Sequence, residues 1–90
     1  MKFFIRGRVV DPQGLPVEGA SVYFVSGPGS QLDVAMLSGE DGSFALPGVS
    51  TAGAYRVGAT AEDMFGEVEL IIGAESTVVD VKLQMRPRNP

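Results

Sequence analysis

The sequence predicts an all-β fold, a seven-stranded antiparallel β-sandwich, on three observations. Seven short runs with period-2 apolar patterning recur at roughly ten-residue spacing, each closed by turn residues. No segment sustains the 3.6-residue period of an amphipathic helix. The opening stretch from Ile5 to Val22 reads as a strand, a Pro/Gly turn, a Gly-Ala re-entry and a second strand. The remaining runs can pack around that corner.

In the first strand Ile5, Gly7 and Val9 alternate with Arg6, Arg8 and Val10, the pattern of a half-buried strand. Asp11-Pro12-Gln13-Gly14 ends it. The Asp carboxylate can accept backbone N–H groups of the turn, Pro12 presets the second turn position and Gly14 tolerates positive φ. The second strand, residues 20–25, sets Ala20, Val22 and Phe24 against Ser21, Tyr23 and Val25, and either face can be the buried one. A third strand over 32–38 carries Leu32, Val34 and Met36 on one side. Asp41-Gly42 is the strongest hairpin signal in the chain. Beyond it, residues 43–46 point Phe44 and Leu46 inward. Tyr55, Val57, Ala59 and Ala61 then form an inward row, with Arg56, Gly58 and Thr60 outside. Residues 65–72 place Val68, Leu70 and Ile72 opposite Glu67, Glu69 and Ile71, and residues 77–85 turn Val79, Val81, Leu83 and Met85 inward. Residues 1–85 are expected to form one domain, and 86–90 a disordered tail, because Pro87 and Pro90 cannot donate to a ladder.

Ninety residues suit one core that buries roughly 60–65% of the unfolded chain's surface. The chain has no Cys, so neither a disulfide nor a thiolate site supports it, and its compartment stays open. Lys2-Phe3-Phe4-Ile5 resembles the start of a signal peptide, but Arg6 and Arg8 interrupt the apolar run, so residues 1–10 are read as mature structure. No run approaches the ~18 apolar residues of a membrane span, and no membrane insertion is expected. A net charge of −4 argues against nucleic acid as a partner, since phosphate binding needs clustered excess cations.

With no His in the chain, Ser–His and Cys–His nucleophile pairs and imidazole-based zinc sites are excluded. The acid pairs Glu40/Asp41 and Glu62/Asp63 are adjacent in sequence, which points them to opposite faces of a strand or into solvent on a turn. Glycosidase chemistry needs a partly buried acid across a cleft from its partner. The Asp-x-Asp density of a calcium loop is also missing. Neither an enzyme nor a metal or cofactor site is expected.

The motifs Ile5-x-Gly7-x-Val9-x-Asp11-x-x-Gly14-x-Pro16-Val17-x-Gly19-Ala20-x-Val22, Asp41-Gly42-x-Phe44-x-Leu46-x-Gly48-Val49 and Gly53-x-Tyr55-x-Val57 together resemble the carboxypeptidase regulatory-like domain family. The resemblance extends through Val79, Val81 and Leu83 and covers nearly all of residues 5–85. It implies a transthyretin-like (prealbumin-like) Greek-key sandwich, accessory domains in many bacterial proteins, and members that are often extracytoplasmic; localisation of this chain is left unknown. It implies scaffold roles too: Gly14, Gly42 and Gly53 for turns, Gly19-Ala20 for close approach of two backbones, Phe44 and Tyr55 as core fillers. Hydrolases of this fold class that act on 5-hydroxyisourate resemble one another in catalytic His residues and a C-terminal Tyr-Arg-Gly-Ser, both absent here. Adhesin stalk domains with a Lys–Asn cross-link are similar in pattern, but Ala59 stands where their catalytic Glu would be, and the only Asn, Asn89, is in the tail.

Binding is what remains, and a protein partner is expected. One candidate surface is a basic stripe of Arg6 and Arg8, joined by Lys2, Lys82, Arg86 and Arg88 if the first and last strands are neighbours. It suits an acidic protein surface or a carboxylate-bearing glycan. A second is the loop set at the sandwich ends (26–31, 47–54 and 62–66), with Met64 and Phe65 as an apolar anchor, although Phe65 can equally cap the core. An edge strand that accepts a partner strand is a third. The alternative is a carbohydrate-binding module, for which the chain offers no Trp and, with Tyr55 expected in the core, Tyr23 as its one remaining tyrosine. A monomer or weak homo-oligomer is expected.

Overall fold

The computed structural model describes residues 3–28, 35–46, 48–73 and 78–87. Among these the strands are β1 (Phe4–Val10), β2 (Ser21–Ser26), β3 (Met36–Leu37), β4 (Ser43–Ala45), β5 (Gly53–Ala61), β6 (Met64–Ile72), β7 (Val78–Gln84) and β8 (Arg86–Pro87). They form a three-stranded sheet in the order β4-β1-β7 and a five-stranded sheet in the order β3-β2-β5-β6-β8. The inner faces of both sheets share one apolar cluster. The fold is the expected all-β sandwich.

Period-2 patterning decides which side chains enter that cluster. Ile5 and Val9 of β1, Val22 of β2, Tyr55 and Val57 of β5, Ile72 of β6 and Leu83 after them on β7 are essentially fully buried. Each such aliphatic side chain contributes about 1.5–3 kcal/mol relative to leaving it in water. Tyr55 fills the centre, its ring centroid 5.8 Å from that of Phe24. Its hydroxyl donates to the Thr51 carbonyl, which gives the polar end of the ring a partner four residues upstream. Burial pushes the Tyr55 phenol above its ordinary value.

The first turn forms as its chemistry dictates. Asp11 Oδ1 accepts the N–H groups of Gln13 and Leu15, both at 2.9 Å, and Gly14 takes a φ of 88°. Gly19 differs from expectation. A Cβ there would meet nothing within 4 Å, so its φ of 78°, rather than close backbone approach, is what calls for glycine. Close approach occurs instead at Gly7, where a Cβ would lie 2.0 Å from the Val81 carbonyl oxygen.

Four further expectations are corrected. The sandwich is not antiparallel throughout, because β1 and β7 pair in parallel from Phe4↔Val78 to Val10↔Gln84. These strands lie near the two ends of the chain, and everything between them serves as the crossover that a parallel pair requires. Asp41-Gly42 forms a turn but joins no hairpin within a sheet, since β3 pairs with β2 while β4 pairs with β1. The turn passes the chain from one sheet to the other. Within 32–38 only Met36–Leu37 is strand, and residues 32–34 lie outside the described residues. Finally, Arg86 and Pro87, expected in a disordered tail, pair with Phe65 and Met64. Pro87 sits at the outer strand of the sheet, where its missing N–H has no ladder partner to lose.

Ser38 ties the corner together and is the one buried polar side chain among the described residues. Its Oγ accepts the Ala20 N–H at 2.9 Å and donates to the Val17 carbonyl at 2.6 Å. The re-entry at Gly19-Ala20 is thus held by a side chain 18 residues away from Ala20.

Candidate functional site

The candidate site lies on the outer face of the three-stranded sheet. Because Ile5 and Val9 are drawn into the core, Arg6 and Arg8 must project from the opposite face of β1. The register then sets their neighbours. Arg6 lies between Ala45 and Asp80, and Arg8 between Ser43 and Lys82. Ala45 and Ser43 are small, so the β4 side of the face is low. An open groove of about 410 Å³ results, lined by Arg6, Arg8, Ser43 and Asp80 around Gly7, Phe44 and Val81.

The first and last long strands are neighbours, so the condition set for the basic stripe is met for Lys82. Lys2 and Arg88 lie outside the described residues. Arg86 does not join the stripe. It belongs to the five-stranded sheet, with its guanidinium 5.2 Å from the Phe65 ring centroid. Acids also enter the face. Arg6 Nε donates to Asp80 Oδ1 at 2.9 Å, and Arg8 Nη2 lies 3.7 Å from Asp41 Oδ2. All four side chains are more than half exposed, so solvent screens both pairs and neither adds much to stability.

Asp41 is committed elsewhere. Its Oδ1 accepts the Ser43 hydroxyl at 2.6 Å and the Ser43 N–H at 3.0 Å. Donation by the Ser43 hydroxyl, then by the Ser43 amide, holds the Asp41 carboxyl below its ordinary value, and Arg8 adds to the effect. Arg8 and Lys82 form a cationic pair, with Asp41 held to the β4 turn through Oδ1 and within 3.7 Å of Arg8 through Oδ2. Lys82 makes no ion pair among the described residues. This arrangement can receive carboxylates by charge and, through the guanidinium forks, by paired hydrogen bonds.

The other expected residues are placed on the five-stranded sheet. Met64 and Phe65 do not stand on a long loop. The loop is the two-residue turn Glu62-Asp63, closed by the Ala61↔Met64 pair, with Glu62 at a φ of 52°. Met64 packs against the core and Phe65 lies on the outer face beneath Arg86, so Met64 takes the core-capping place considered for Phe65. Tyr23 is also on that outer face. A Cβ on Gly58 would lie 3.2 Å from Tyr23 Cε1 and Cζ and 3.0 Å from Val25 Cγ2, so ring and methyl close over the glycine. Tyr23 and Phe65 share a face but not a contact position, being separated by β5.

Asp80, Ser43 and Asp41 were not singled out beside the arginines. The outward alternation of Asp80 and Lys82 was legible, but the register that brings them to Arg6 and Arg8 was not. Arg56, reaching Glu67 at 3.4 Å and Glu69 at 3.5 Å, is a second charged group that sequence reasoning passed over. Among the described residues no group of three or more acidic, His or Cys side chains is placed to hold a metal ion.

The chain matches the carboxypeptidase regulatory-like domain over residues 5–84. Among solved structures it is similar to a DUF3823 family protein from Parabacteroides merdae, with a TM-score of 0.63, 19% sequence identity and 96% of this chain covered. The chain spans 46% of the length of that protein, and the likeness is one of fold. No curated protein matches the chain. A match that takes in every strand from β1 to β7 places this chain in the carboxypeptidase regulatory-like domain family, a family of non-catalytic domains.

Proposed function

We propose that this domain is a non-catalytic docking module whose three-stranded sheet receives an acidic segment of a partner protein. The observation that carries this reading is the cationic pair Arg8/Lys82 standing beside Arg6 at an open groove whose β4 side carries only Ser43 and Ala45. Like charges directly opposite each other destabilise a sheet. Such a pair is relieved when a carboxylate lies between the two cations. Arg6 would exchange its exposed bond to Asp80 for one to the incoming acid at little net loss.

The test measures binding of a synthetic Glu-rich peptide by the intact chain and by an Arg6→Glu/Arg8→Glu variant, at low and moderate salt. Retention by the native chain, weakening with salt and loss in the variant are expected. Equal binding by both proteins, or none by either, would end the proposal. A glycan is the second reading, favoured by Tyr23 and Phe65 lying on one face of the five-stranded sheet. It ranks second because the Tyr23 ring is folded over Gly58 and Phe65 is covered by Arg86. A glycan panel with Tyr23→Ala as control tests it.

A further inference from the structure

β6 is nine residues long and pairs with β5 residue for residue, from Ala61↔Met64 to Gly53↔Ile72, without a bulge. On its other side, among the described residues, only Met64 and Phe65 are paired, to Pro87 and Arg86. At Gly66 the chain passing from β7 to β8 crosses the strand, with Gln84 O 2.7 Å from where a Cβ would stand. Beyond that crossing, residues 67–72 present alternate backbone N–H and C=O groups at an edge that has no ladder partner among the described residues.

Sheet edges are ordinarily blunted by shortness, proline, bulges or inward charge. Of the four edge strands, β3, β4 and β8 are two or three residues long and β8 carries Pro87, whereas β7 is seven residues long. Over residues 67–72 β6 has no proline, no bulge and no inward charge. Glu67 and Glu69 lie on the outer face, where each contacts Arg56 of β5 through one oxygen and stays largely exposed. Ile71, 76% exposed, is the most exposed large apolar residue described.

The existing occupant of this edge shows what it accepts. β8 lays an arginine against Phe65, backbone paired and guanidinium stacked. Along the same face the next side chains are Glu67, Glu69 and Ile71. A strand added there meets two carboxylates, shared by one arginine, and then an isoleucine. We propose that residues 67–72 form a strand-addition site for an extended basic segment of a partner protein, with Lys or Arg at two alternate positions and an apolar residue at a third. A second copy of this chain is a poor occupant. It would set its own Glu67 and Glu69 against these, and the chain carries a net charge of −4. The site is separate from the Arg6/Arg8 face and does not rest on the function proposed for it.

The test uses short peptides with Lys at alternate positions and Val or Thr between them, titrated to millimolar concentration into the intact chain. NMR reads the amides. The Lys peptide is expected to slow hydrogen exchange at the outward-pointing amides of residues 67–72. Of two versions N-methylated at alternate amides in opposite phase, one loses binding and the other keeps it, since a docked strand offers only one of its edges. Glu67→Gln/Glu69→Gln weakens binding by about tenfold with the fold retained. Three outcomes would overturn the proposal: exchange at 67–72 left unchanged, equal binding by both N-methylated versions, or preference for a Glu-for-Lys peptide. Protection of the same amides that rises with protein concentration alone would overturn it too, in favour of self-association.

Discussion

Arg8 of β1 and Lys82 of β7 stand directly opposite each other on the exposed face of the three-stranded sheet. Each comes from a strand whose alternate residues are committed to the core, so neither can turn away without moving its strand. The pairing sets two cations side by side, and the sheet's stability bears a cost for it. Replacing Lys82 by Glu converts repulsion into attraction. Stability should rise by about 0.5 kcal/mol in urea denaturation, while binding of the Glu-rich peptide falls. A variant that gains no stability would show that Asp41 already neutralises Arg8.

Gly7 holds β1 against β7. A Cβ there would lie 2.0 Å from a backbone oxygen, which cannot rotate away as a side chain can. Gly7→Ala should therefore destabilise the domain by about 1–3 kcal/mol, or more. Urea midpoints give the value, and a neutral result would mean that the two strands can separate at no cost.

Ser38→Ala removes the acceptor of the Ala20 N–H and the donor to the Val17 carbonyl at a buried position. The orphaned groups should cost about 1–3 kcal/mol. Faster exchange of the Ala20 amide, ahead of the core strands, would locate the damage at the corner.

Asp41 makes the β4 turn sensitive to acid. Its folded-state value lies below the ordinary 3.8 because Ser43 donates to the ionised carboxylate. The stabilisation is present above the unfolded value and is lost as pH falls through the folded one. Titration of the Asp41 carboxyl by NMR should show the depressed value, and Ser43→Ala should raise it, since the hydroxyl is the largest cause of the lowering. No change in that variant would assign the shift to the Ser43 backbone amide, which the substitution retains.

Much of the fold was legible because strand alternation is a local property. Ile5 and Val9, Phe44 and Leu46, and Tyr55 and Val57 reach the core as their spacing requires. The turn at Asp11 to Gly14 was legible for the same reason, since its bonds span four residues or fewer. On the second strand both faces carried apolar residues. The choice of Val22 over Tyr23 was made by the register with β5, which turns Tyr23 onto Gly58. The turn at Asp41-Gly42 carried its local signal correctly and misled about its partners, because nothing near it in sequence says which sheet each flank joins.

The candidate sites divide in the same way. By itself the sequence determined that Arg6 and Arg8 face outward, that Glu67 and Glu69 share a face with Ile71, and that no imidazole or thiol chemistry is available. Only the tertiary structure decided that Lys82 and Asp80 stand beside the arginines, that Arg86 leaves them for Phe65, and that among the described residues β6 has a second ladder partner only at Met64 and Phe65. The physical reason is range. Side-chain direction follows from bonds between adjacent residues, whereas pairing across 74 positions, as between Arg6 and Asp80, follows from burying the two sheets against each other.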